Sequence, residues 1–115
     1  ECTTGRHQHG SHGVISVAAN IVPRILRKLM DAPDAALEQR IQPLMSWLFC
    51  EPNPIAINTA LMMTSAVAPN FRMPYQALTL EQREQGLVLL SEIAQSDLVG
   101  DKLAVMADDD FQYFC

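Results

Sequence analysis

Gly13-Val14-Ile15-Ser16-Val17-Ala18-Ala19-Asn20 is the stretch whose reading decides the fold of this chain. Val14, Ile15 and Val17 are β-branched, and the run is too short for a helix with a face of its own to bury, so residues 13–18 read as a strand. Ser16 is the only polar residue in it, and no wet side is marked. A strand apolar on both faces belongs to a parallel sheet covered by helices. Nothing downstream supplies a partner, because nearly everything after Asn20 reads as helix or loop, and the strand is left an orphan.

Directly after it, Asn20 is placed as a helix N-cap with Pro23 in the first turn, where a missing N–H costs little. A helix over 21–30 buries Ile21, Ile25, Leu26 and Leu29 and leaves Arg24, Arg27 and Lys28 as a solvated face. Strand, loop and helix make one βα unit. Beyond a break at Asp31-Ala32-Pro33-Asp34, a second helix over 35–50 carries Leu37, Ile41, Leu44, Met45 and Leu48 on one stripe. Pro43 inside it should kink the helix or remove one hydrogen bond. Trp47 and Phe49 are expected to widen its buried surface, as core or subunit contact.

Glu51-Pro52-Asn53-Pro54 forces an extended or turning connection. The helix that follows, over 54–66, has almost no charge and should be buried, with Met62 and Met63 filling gaps. Residues 69–78 read as a loop. Thr79-Leu80-Glu81-Gln82 is a capping-box pattern opening a helix over 80–95, with Leu87, Leu90 and Ala94 inward and Glu81, Arg83 and Glu84 outward. Asp108-Asp109-Asp110 lacks calcium-ligand spacing and reads as part of a solvated terminus.

Composition narrows the function classes. With 115 residues, 49% apolar and 18% charged, the chain is ordinary for a globular domain. A net charge of −5 and eight scattered basic residues give no footprint for nucleic acid or an anionic membrane. No apolar run approaches the roughly 20 residues of a membrane span. Cys2, Cys50 and Cys115 are odd in number and far apart, which favours free thiols in a reducing compartment. His7, His9 and His12 near Cys2 match no paired zinc spacing, and no metal site is assigned. Residue 1 is Glu rather than Met, so the chain reads as a piece of something longer.

Two stretches together are similar to a known family. Gly13-Val14-Ile15-Ser16-Val17 with Asn20, and Leu48-Phe49-Cys50-Glu51-Pro52-Asn53-Pro54-Ile55, resemble the C-terminal part of dihydrodipicolinate synthases. The likeness continues through Asn58-Thr59-Ala60-Leu61 and Phe71-Arg72-Met73-Pro74-Tyr75. In Val99-Gly100-Asp101-Lys102 and Asp108-Asp109-Asp110-Phe111 it follows the plant, plastid form. Ala18 stands where the family commonly has Thr.

The resemblance implies an α/β fold: the last strand and helix of a (β/α)8 TIM barrel within residues 1–32 (strand 13–18, helix 21–30), and a C-terminal helical domain with an acidic tail over 33–115. The fragment itself is then mostly α, and the orphan strand's partners belong to the barrel. It also implies a lyase of lysine biosynthesis that condenses pyruvate with aspartate semialdehyde through a lysine Schiff base, without a cofactor, as a homotetramer in the plastid stroma. The catalytic lysine and its tyrosine and threonine relay match no position here, and neither Lys28 nor Lys102 is assigned that role. One position transfers: Ile15 corresponds to the isoleucine that contacts pyruvate. Two other readings stand beside this one. The first is a different Schiff-base pyruvate aldolase, such as a sialic-acid or keto-sugar lyase; the second is a complete helical interaction module without catalysis. On the leading reading the isolated piece is inactive, helix-rich and prone to associate, because a lone strand exposes both edges.

Overall fold

The computed structural model describes residues 5–115. A short helix α1 (Gly5–His9) precedes the stretch 10–17, and a 3-10 turn over Ala18–Asn20 leads into α2 (Pro23–Asp31). Then follow α3 (Ala35–Trp47), α4 (Ile55–Met63), strand β1 (Asn70–Arg72), α5 (Leu80–Ser91), two further 3-10 turns and strand β2 (Gln112–Phe114). No helix among the described residues is long and apolar enough to cross a membrane.

The helices arise much as the pattern requires. Pro23 occupies the first turn of α2, but its N-cap is Val22 without a side-chain bond. Asn20 instead ends the 3-10 turn and donates through Nδ2 to the Val17 carbonyl at 3.1 Å. Arg27 bridges to Asp31 at 2.8 Å on the exposed face of α2, and Lys28 faces Asp97 at 3.9 Å. Asp34 caps α3 by accepting from the Leu37 amide. The helix runs unbroken through Pro43, whose ring lies on the exposed side, so the Gln39 carbonyl that loses its N–H partner lies on a face open to water. The capping box of α5 forms as read: Gln82 N donates to Thr79 Oγ1, and Thr79 N to Gln82 Oε1.

The core lies between α2, α3, α4 and α5. Ile21, Ile25, Leu26 and Leu29 meet Ile41, Leu44, Met45 and Leu48, with Ala56, Ile57, Ala60 and Met63 from the almost uncharged α4 in the middle. Thr59 is buried without penalty: its Oγ1 donates to the Ile55 carbonyl and accepts from the Leu78 amide, tying α4 to the approach of α5. Trp47 is buried, but Phe49 is exposed, because α3 ends at Trp47 and the chain turns before Phe49 can follow the stripe inward.

The inward face of α5 differs from its reading. Arg83, Gly86 and Leu90 are the buried positions, Leu87 is half-buried, and Ala94 lies beyond the helix end and is exposed. A cation and a glycine carry no hydrophobic signal, so the apolar pattern alone rotates the helix the wrong way. Gly86 is where the Trp47 ring lies against the α5 backbone, and the indole N–H donates to the Gln82 carbonyl one turn earlier at 2.8 Å.

The tail is likewise not a solvated terminus. β2 pairs in parallel with β1, with Phe71 opposite Tyr113, and Phe111 is buried in a small second cluster with Phe71 and Met62. Of the aspartates, Asp108 binds Arg83, and Asp110 accepts from the Ala107 amide.

Candidate functional site

Ile15 carries the implied substrate contact, and its side chain is fully exposed, at 104% of its reference area. The expected strand over 13–18 does not form in this chain. Residues 13–16 join no ladder, Val17 already has helical angles (φ −60°, ψ −42°), and Ala18 opens a 3-10 turn. A strand is held by bonds to neighbouring strands, and among the described residues only β1 and β2 pair. The segment is nevertheless fixed from one side. Ala18, Ile21 and Val22 are wholly buried at its exit, and Val14 and Val17 rest partly against the same core. Ile15 lies between half-buried Val14 and Ser16, and is presented on the open side of an anchored segment.

Elsewhere the described residues bring together no catalytic constellation. His7 donates through Nε2 to the Leu29 carbonyl at 2.7 Å, since a carbonyl can only accept, and this docks α1 on the end of α2. His9 and His12 are exposed, no three His, Cys, Asp or Glu side chains gather in metal-binding geometry among the described residues, and Cys2 lies outside them. Lys28 and Lys102 are both exposed, and Lys28 faces Asp97 across the outer surface of α2.

Surface clefts occur between α1, α2 and α3 beside His7, Asp34 and Glu38, and beside the capping box of α5, lined by Glu51, Ile55, Leu78 and Gln82. In the second, Gln82 Nε2 donates to Glu51 Oε1 at 3.1 Å, so the capping residue also holds the Glu-Pro-Asn-Pro turn. The Asn53–Pro54 peptide of that turn is cis.

Cys50, exposed at the start of the same turn, has its thiol pushed above the ordinary range, first by partial desolvation and then by the neighbouring Glu51 carboxylate. The thiolate is the nucleophile, so alkylation of Cys50 by iodoacetamide should be slower at pH 8 than that of a free cysteine, with its pH midpoint displaced upward. Glu51→Gln should move that midpoint part of the way back. Peptide mapping across a pH series measures both, and a midpoint at or below the free-cysteine value would contradict the assignment.

The most elaborate polar arrangement centres on Arg83, which the sequence pattern placed outward. Its guanidinium is 1% exposed: Nε donates to the Met106 carbonyl at 2.9 Å, one terminal nitrogen to the Leu78 carbonyl at 2.6 Å, and the other to Asp108 Oδ1 at 2.6 Å. The Phe111 ring lies 5.0 Å beneath it. Every nitrogen has a protein acceptor, so this is an anchor for the tail and not a ligand site. The signal that points to it is positional: Arg83 shares a helical stripe with Gly86 and Leu90.

The family model described as "Dihydrodipicolinate synthetase family" matches residues 1–93. Over 113 residues, 96% of this chain, the sequence is 47% identical to the chloroplastic 4-hydroxy-tetrahydrodipicolinate synthase 1 of Triticum aestivum and 46% identical to that of Arabidopsis thaliana. Those matches cover 29% and 31% of the two relatives, so the chain spans about a third of their length or less. A crystal structure of dihydrodipicolinate synthase superposes with a TM-score of 0.63 at 31% identity, over 72% of this chain and 31% of that one. The fold is accordingly a mostly helical part of a (β/α)8-barrel enzyme. With a family model matching most of its length and plant relatives aligned across nearly all of it, the chain belongs to the dihydrodipicolinate synthetase family.

Proposed function

We propose that this chain is the C-terminal part of a plant-type 4-hydroxy-tetrahydrodipicolinate synthase. In this reading residues 1–32 complete the barrel and residues 33–115 form the helical domain behind it. The observation that carries it is the alignment of nearly the whole chain with plant enzymes of that name at 47% and 46% identity. The enzyme joins pyruvate to aspartate semialdehyde: a lysine amine supplied by the rest of the protein condenses with the pyruvate ketone and expels water. Residues 13–18 become the closing barrel strand once neighbouring strands satisfy their backbone groups.

Within that site this chain contributes a wall. Ile15 lies at the rim where barrel enzymes place their chemistry, and its side chain, open here, packs against the keto acid and excludes water from it. The substrates are pyruvate and aspartate semialdehyde, the assembly is a homotetramer, and the compartment is the plastid stroma. The plant relatives' chloroplastic names support the last point.

Ile15→Ala in the complete enzyme tests the reading. Removing hydrocarbon from a substrate pocket weakens binding by about 1–3 kcal/mol, so the pyruvate KM should rise about tenfold or more while the fold is retained. Unchanged pyruvate kinetics would remove Ile15 from the pocket. A complete enzyme that released pyruvate from a sialic or keto-sugar acid and ignored aspartate semialdehyde would favour the other aldolase class.

A further inference from the structure

We propose that residues 104–114, together with β1, form a strap that opens as one unit while the four-helix core stays packed, and that Arg83 and Asp108 are its latch. The strap has a small apolar cluster at its seat. Phe71 and Phe111 of the strap pack on Met62 of α4, with Ala77 against them, and Met106 touches both this cluster and the main core. Its sheet has two short parallel strands, a size and arrangement that is marginal without further support. All three residues of β2 are exposed. Beyond the β1–β2 ladder, its backbone ties include Met73 N to Phe114 O at 2.6 Å, Gln112 N to Pro69 O at 2.8 Å and Ala104 N to Met63 O at 3.1 Å, and the Ala77 amide donates to the Tyr113 hydroxyl at 3.4 Å.

The latch supplies what the sheet lacks. Arg83 is rooted in α5, yet two of its three hydrogen bonds, to the Met106 carbonyl and to Asp108, go to the strap, and its cation covers Phe111. The counter-charge sits outside: the Asp108 side chain is 80% exposed, so water can replace it. The base of the strap is fixed independently. Val99 N donates to Ile21 O, and Gly100, at φ +99°, lies against the Thr64 carbonyl where no side chain fits. A segment with a small cluster, one exposed counter-ion and a fixed base is the kind that opens below the global unfolding free energy. Opening uncovers Met62 and the Arg83 guanidinium together.

Native-state hydrogen exchange on the complete enzyme tests this with two mild variants. Asp108→Ala weakens only the latch, and should accelerate exchange of the Met73, Ala104 and Gln112 amides about fivefold. Ile41→Val trims the main core, and should accelerate the α4 amides about fivefold while leaving those three unchanged, because the core remains packed when the strap opens. An acceleration below about twofold with Asp108→Ala overturns the latch. Equal acceleration of strap and α4 amides by Ile41→Val overturns the separate unit, since a single cooperative structure would respond everywhere.

Discussion

Gly86→Ala lowers the stability of the chain by about 2 kcal/mol, opposite in sign to the usual effect of filling a helical glycine. In an open helix the change adds roughly 0.5–1 kcal/mol, because glycine gives up more backbone freedom on folding. Gly86 is in the interior of α5 but faces the Trp47 ring, and a Cβ there would sit 2.6 Å from indole ring carbons, well inside contact distance. The ring cannot yield cheaply. It is buried, and its N–H is committed to the Gln82 carbonyl on the same helix, so withdrawing it opens a void and strands a donor. Overpacking of this kind costs about 1–3 kcal/mol, and it outweighs the entropic gain. Trp47 is the single tryptophan of the chain, so urea unfolding followed by its fluorescence reports the change at the contact itself. A midpoint that rises, or stays where it was, would show that the indole slides aside and that glycine is not required.

The same helix shows where sequence stops specifying structure. The Thr79-Leu80-Glu81-Gln82 box was legible because both partners of the cap lie within one turn, and it forms as written. The stripe of α3 and the apolar α4 were legible because their buried residues are the hydrophobic ones. The face of α5 was not. Of its three inward positions Leu90 alone was legible; Arg83 and Gly86 are chosen for a partner on the tail and for a ring on α3, and neither partner is near in sequence. The β1–β2 pair was hidden for the same reason, since its strands have three residues each and are 42 positions apart. The stretch around Ile15 is the reverse case. Its apolar, β-branched composition states a buried strand, but a ladder depends on partner backbones, and among the described residues none is offered. The candidate site therefore rests on resemblance alone, and only at Ile15.

Arg83→Met should cost about 3 kcal/mol, a further large loss, and it comes chiefly from two carbonyls. Methionine matches the length and roughly the volume of the arginine stem, so packing against Phe111 is largely kept. Removing the charge also removes the desolvation penalty of a guanidinium that is 1% exposed, a gain that can make replacement of a buried ion pair neutral or favourable. Here that gain is offset. The Leu78 carbonyl loses its donor at a buried bond and the Met106 carbonyl at a part-buried one, at about 1–3 kcal/mol each with Met106 at the lower end. Asp108, by contrast, is 80% exposed and is rehydrated when its partner leaves. Asp108→Ala should therefore cost only about 1 kcal/mol, even though it breaks the same ion pair. Arg83→Lys should fall between, because an ammonium keeps the charge without the planar fork that spans three acceptors. The order Met, Lys, then Asp108→Ala, from largest loss to smallest in denaturant midpoints, separates a hydrogen-bonding anchor from a charge pair. If Asp108→Ala proved as damaging as Arg83→Met, the coulombic contact would dominate and the carbonyl bonds would be secondary.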